Sequence, residues 1–188
     1  MRIIAGQYRG VRLAELGKGD AAAQLRPTSD RVRESLFSVL AAREDLTLVG
    51  ARVLDLFAGT GALGLEALSR GAAHATFVDT GAPARALLQD NVSRTKTQGI
   101  TRIWRRDATA LGPAPAPFDL VFLDPPYGRD LGTRALLGAA AEGWLAPDAV
   151  IAWEENAPQL PPPGFTLLDN RRYGDTHLTL LRAPPYAG

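Results

Sequence analysis

Residues 124–128 read DPPYG and directly follow the apolar run Asp119-Leu120-Val121-Phe122-Leu123. A carboxylate at Asp124, two consecutive prolines and the flat ring of Tyr127 stand where a buried strand should end. Pro125 and Pro126 fix their φ angles and remove two amide donors, leaving carbonyl oxygens free to accept. With the Asp124 carboxylate they make an acceptor-rich site for an amino group, and Tyr127 offers a face on which a base can stack. An exocyclic amine on a nucleobase is a poor nucleophile because its lone pair is delocalised into the ring. Hydrogen bonds from both its protons, to Asp124 and a proline carbonyl, would draw the nitrogen towards tetrahedral geometry and aim its lone pair at an electrophile. The remaining task is positioning and electrostatics. Alone, the same residues also describe a proline-stiffened loop with Asp124 as a cap.

A second chemical motif lies upstream. VLDLFAGTGALG, residues 53–64, holds Gly59-Thr60-Gly61-Ala62-Leu63-Gly64, a G-x-G-x-x-G between a strand pattern and a helix pattern. Its glycines permit a tight turn and close backbone approach to a ligand. Asp79 ends the next strand pattern, placed to accept hydrogen bonds from ribose hydroxyls. On these features a nicotinamide dinucleotide fits as well as any nucleoside cofactor. Asp55 separates the two readings. A dinucleotide sets a pyrophosphate at the helix N-terminus, and an anion gains nothing from a carboxylate beside it. S-adenosylmethionine carries an ammonium and a sulfonium and no phosphate, and suits that acid better. Asp107, before Ala108, stands at the end of a third strand pattern, where it could accept the adenine amino proton or merely cap a turn.

Strands alternating with helices position these groups. Apolar runs at 51–58, 74–80, 101–108, 118–124 and 149–155 read as strands, and 62–69, 83–96 and 133–144 as helices. This alternation predicts an α/β, Rossmann-like, doubly wound and mostly parallel sheet. In the tail, 165–174 and 176–183 are adjacent strand patterns with no helix between them, so they form an antiparallel C-terminal edge hairpin. Residues 2–5 and 11–13 read as a small N-terminal β-hairpin, 16–28 as a loop, and Ser29 or Asp30 caps a helix to about residue 42 whose buried face is Val32, Leu36, Phe37 and Leu40. The division expected is an N-terminal extension, 1–44, and a catalytic domain, 45–188.

Composition narrows the classes. With 188 residues, 46% hydrophobic and 22% charged, the chain matches one ordinary globular core. The formal net charge of +1 gives no global case for nucleic-acid binding, so any such case rests on local clusters. No cysteine is present, and the two histidines, His74 and His177, are far apart, so the chemistry expected is metal-free. No apolar run approaches the roughly 20 residues of a membrane span, and the N-terminus does not read as a signal peptide. A cytoplasmic protein is expected.

The sequence resembles the class I S-adenosylmethionine-dependent amino-methyltransferases, and more narrowly the RsmD family. The resemblance rests on MRIIAGQYRG at 1–10, RPTSDRVRESLF at 26–37, LDLFAGTGALGLEALSRGA at 54–72, LDPPYG at 123–128 and RRYGDTHLTL at 171–180. The first two segments are specific to that family, whereas the glycine loop and DPPY are shared with many methyltransferases. The resemblance implies methyl transfer to guanine N2 in the 16S RNA of the small ribosomal subunit. It also implies a cofactor pocket of Asp55, Phe57, Ala58, Gly59, Thr60, Gly61, Asp79, Asp107 and Ala108, with catalysis by Asp124, Pro125, Pro126 and Tyr127. One departure stands out: the family commonly has Glu, one residue, then Asp after the second strand, and here Asp79 is followed by Thr80-Gly81.

Basic residues gather at the N-terminus, and Arg9, Arg26, Thr28, Arg31 and Arg33 are the expected RNA contacts. A second group, Arg94, Lys96, Arg102, Arg105 and Arg106, could equally be solvated surface charge. The substrate expected is ribosomal RNA, in an assembled or partly assembled small subunit, and the enzyme a monomer. Adenine N6 remains the same-class alternative. An NAD-dependent oxidoreductase and an inactive RNA-binding module are the others.

Overall fold

The computed structural model describes residues 1–15 and 29–185. The expected loop at 16–28, including Arg26 and Thr28, lies outside the described residues. Twelve elements follow in order: α1 (Asp30–Ala41), β1 (Arg52–Leu56), α2 (Ala62–Ser69), β2 (His74–Val78), α3 (Ala82–Thr95), a short 3-10 turn (Gln98–Ile100), β3 (Thr101–Trp104), β4 (Phe118–Leu123), α4 (Leu131–Ala141), β5 (Leu145–Glu155), β6 (Thr166–Tyr173) and β7 (Thr176–Arg182). The strands form one sheet in the order β3-β2-β1-β4-β5-β7-β6. Pairings from β3 through β5 are parallel, and β7 runs antiparallel to both β5 and β6.

The central strands β1, β2, β4 and β5 are buried on both faces, which is why they read as nearly continuous apolar runs. One face packs Val53, Phe77, Leu120 and Phe122 against α1, α2 and α3, and the other packs Leu54, Val121, Ile151 and Trp153 against α4. Ile3, Leu13, Leu36, Phe37 and Leu40 belong to the first of these cores, so the described residues of the N-terminal extension share a core with the sheet.

The expected N-terminal hairpin is present and short: Arg2 bridges Arg12, the Leu13 amide donates to the Met1 carbonyl at 3.1 Å and the Ile3 amide to the Val11 carbonyl at 3.0 Å, while beyond it the amides of Ile4 and Ala5 donate to the Glu66 carboxylate at 2.8 and 3.1 Å. Three expectations need correction. The helix read as 133–144 is Leu131–Ala141; Gly143 turns the chain with φ +79°. Trp144 then enters the core, its Nε1 donating to the Gly112 carbonyl at 2.7 Å and its ring stacked on Phe118. β3 stops at Trp104 because Arg106 folds back over that indole, 4.3 Å from its centroid, and Asp107 starts a turn. On α1, capped by Ser29 as expected, Arg33 rather than Val32 completes the buried face.

Candidate active site

The chain leaves β1 outward to β2 and β3, then returns to β4 on the other side of β1. This reversal opens a crevice beyond the carboxyl ends of β1 and β4, where open α/β sheets bind ligands. Register brings the two motifs together there: Leu56 of β1 pairs with Leu123 of β4, and the Asp124 amide meets the Leu56 carbonyl at 3.5 Å.

The glycine loop is held by carboxylates. Asp55, buried in β1, accepts from the Gly64 amide in the first turn of α2 at 3.0 Å, and Asp79 accepts from Gly59 at 2.9 Å and Gly81 at 2.7 Å. Phe57 begins the loop with φ +57°, and Ala58 bonds the Val78 carbonyl at 3.1 Å. Gly61 has φ +76°, and a Cβ there would lie 2.2 Å from Leu88 Cδ1. Two amides that a phosphate would need, Gly59 and Gly64, are already bonded to acids. The donor set therefore fits a cofactor that is cationic where it meets this loop. Burial, opposed by the Gly64 bond and reinforced by the charge of Asp79, pushes the Asp55 carboxyl up to about 8.

Asp107 is exposed and accepts from the Thr109 amide and hydroxyl, both at 2.8 Å; these bonds hold its carboxyl below the ordinary range. Ala108 is buried beside it.

Asp124, Pro125, Pro126 and Tyr127 lead from β4 towards α4. Their loop is braced from β5, where Glu155 accepts from Gly128 at 3.3 Å and from Asn156 at 2.8 Å. Gly132, in the first turn of α4, lies so close to the Trp153 indole that a Cβ would stand 2.2 Å from Cζ2. Burial, then the negative charges of Glu154, Asp55 and Glu155, raise the Asp124 carboxyl well above its usual range.

Three further residues carry no motif. Asn91 of α3, fully buried, accepts from the Ala14 amide at 2.6 Å and donates to the Ala14 and Thr60 carbonyls at 3.1 and 2.9 Å, tying the N-terminal segment to the glycine loop. Glu66, an acid inside the wholly buried α2, anchors the same segment. Glu154 stands beside the target loop. Glu66 and Glu154 are signalled only as acids in largely apolar elements, and Asn91, in a polar helix, carries no signal of its own.

The expected RNA contacts divide. Arg9 and Arg31 are exposed and line one depression of about 290 Å³ beside α1. Arg33 is fully buried, donates to Asp30 at 2.9 Å and to the Arg2 carbonyl, and lies 3.7 Å from Glu66. It holds α1 against α2 and cannot reach a phosphate from there. In the second basic group, Arg94 is paired with Asp90 at 2.8 Å.

A doubly wound sheet with a reversed penultimate strand, an acid-held glycine loop and DPPY at the switch point define a class I methyltransferase fold. The family described as Conserved hypothetical protein 95 matches residues 1–182, and the chain belongs to it. It is 40% identical over 171 residues to the Ribosomal RNA small subunit methyltransferase D of Escherichia coli, covering 89% of this chain and 82% of the relative. It is 34% identical over 180 residues to the protein of the same name from Haemophilus influenzae, covering 93% and 89%. Among solved structures, yhhF of Escherichia coli superimposes with a TM-score of 0.82 at 36% identity over 99% of both chains. Among the described residues no helix is long and apolar enough to cross a membrane.

Proposed function

We propose that this protein transfers a methyl group from S-adenosylmethionine to the exocyclic N2 amine of a guanine in small-subunit ribosomal RNA. The observation that carries the reading is the meeting of DPPY with the acid-held glycine loop at one switch point. When bound, the cofactor supplies a methyl group on a positively charged sulfur. Asp55 and Asp79 fix the loop that cradles it; Asp79 offers negative charge to a cationic ligand, and Asp55 a carboxyl that such a ligand would draw into its ionised form. Asp79 retains lone pairs for ribose hydroxyls, and Asp107 and Ala108 border the base end.

Asp124 and the Pro125 carbonyl accept the two amine protons, and Tyr127 stacks on the guanine. The base must leave its stack, which costs a few kcal/mol in a duplex and less in a loop, so an unpaired nucleotide is the favoured target. Arg9 and Arg31 hold the neighbouring phosphates. The relatives' shared name supports the ribosomal substrate, and the choice of N2 follows from the family resemblance.

Asp124→Ala is expected to abolish methylation of small-subunit RNA or particles while calorimetric affinity for S-adenosylmethionine stays within a few-fold. Full activity in that variant would overturn the role of Asp124. Nucleoside mass spectrometry identifies the product: N2-methylguanosine is expected, and N6-methyladenosine alone would reassign the base.

A further inference from the structure

The strand ends beside the target loop hold more carboxylate than binding one amine requires. β4 and β5 run parallel with Phe122 beside Ala152 and Leu123 beside Trp153. One step further, Asp124 comes level with Glu154 at the spacing of neighbouring strands, about 4.8 Å. Side chains alternate between faces along a strand. Phe122 and Ala152 both belong to the core under α1 and α2, so Asp124 and Glu154 point to that same side. Glu154 is only 8% exposed.

The surrounding elements supply further charge. β1 contributes Asp55, buried and level with Phe122. β5 contributes Glu155, whose oxygens take the Gly128 and Asn156 amides, and β7 sets His177 beside Glu155. From α1 and the end of α2 come Arg33 and Arg70, both paired with Glu66 of α2. Glu154 is the largest charged contributor to the upward displacement of Asp124.

We propose that Glu154 is a positioning residue that shares one proton with Asp124, so that the pair, rather than Asp124 alone, sets the pH at which the amine site becomes charged. The proposal rests on the methyltransferase reading above. Two carboxylates this close, one nearly buried and the other half-buried, do not both ionise readily, and they titrate as a unit. Without ligand, one proton lies between them. With a cation bound nearby, the pair ionises fully and gives that proton to solvent. During transfer the N–C bond forms as the C–S bond breaks, the C–S electron pair stays on sulfur, and the substrate nitrogen becomes positively charged. One N–H proton then passes to the ionised pair, restoring its singly protonated state.

Calorimetry with S-adenosylmethionine in buffers of different ionisation enthalpy reads the first step. Wild type is expected to release close to one proton more on binding than Glu154→Gln, any proton that Asp55 gives up being common to both. Glu154→Asp, which keeps a second carboxyl, should restore release. In methylation assays the acidic limb of the pH–rate profile should move down by about one unit or more in Glu154→Gln, since removing a nearby charge makes Asp124 easier to ionise. Equal proton release and an unmoved limb in that variant would reject the shared proton while leaving the methyltransferase reading intact. Failure of wild type to bind the cofactor or methylate RNA would reject that reading instead. Should Glu154→Gln not fold, a carboxyl-carbon NMR titration of wild type decides: Asp124 titrating as an isolated, ordinary carboxyl overturns the proposal.

Discussion

Asp55 shows how one buried acid ties the stability of the unliganded fold to pH. Its carboxyl titrates at about 8 in the folded chain against an ordinary value of 3.8. The folded state thus holds this proton more tightly than the unfolded state. The resulting stability is full below about pH 4 and is lost as pH rises through 8. Thermal melts of the unliganded protein should therefore show Tm falling between pH 5 and 8.5. Asp55→Asn, which keeps an acceptor for Gly64, should flatten that fall by several degrees, each ~1 kcal/mol shifting Tm by about 2–4 °C in a chain of this size. The same substitution removes the carboxyl that a bound cation would draw into its ionised form, so cofactor affinity should drop. Gly64 is constrained from the other side: a Cβ there would stand 2.4 Å from Phe77 Cε1 and 3.1 Å from Asp55 Oδ2. Gly64→Ala should destabilise by about 1–3 kcal/mol through overpacking, measured by urea unfolding.

At the scale of elements, the N-terminal segment is attached to the sheet through α2. Glu66 receives the Ile4 and Ala5 amides and is bonded by Arg70 at 2.8 Å, while Ser69 accepts from the Tyr8 amide at 2.9 Å. Glu66→Ala would leave two amides without their acceptor and the buried Arg33 with Asp30 as its one remaining acid. A loss of about 3–5 kcal/mol is expected, with hydrogen exchange at Ile4 and Ala5 accelerating first. The parallel strands and their helices were legible because burial on both faces writes an apolar run and each crossover helix interrupts it. The N-terminal hairpin was legible as far as its backbone pairs, Ile3 with Val11 and Leu13 with Met1; the docking of Ile4 and Ala5 was not, because their acceptor, Glu66, lies 62 positions from Ile4 in sequence. α4 was read too far for a similar reason, since Trp144 continues the helical spacing yet is drawn into the core between Phe118 and Trp104. Asp55, Asp79 and Asp124 could be found because acids inside or directly after apolar strands conflict with burial. Asn91 and Glu154 required knowledge of which elements become neighbours.

For the whole molecule, the near-neutral balance of +1 conceals a division of labour among the arginines. Arg33, Arg43, Arg70, Arg94, Arg171 and Arg182 are engaged with acids of the chain itself. Arg9 and Arg31 are exposed on a common depression and form no ion pair among the described residues, so their charge is available to an outside anion. Each phosphate neutralised on a single strand contributes about 0.7 to the slope of log affinity against log salt, and about 0.9 on a duplex. Arg9→Ala with Arg31→Ala should therefore lower the slope for small-subunit RNA by about 1.4–1.8 and weaken binding at low salt, with Tm nearly unchanged. Arg33→Ala should show the reverse, a large loss of Tm and little change in slope for the fraction that remains folded, because its guanidinium faces Glu66 and not solvent. Fluorescence anisotropy across a salt series, paired with thermal melts, separates the two classes. An unchanged slope in the double variant would remove this depression from the RNA path.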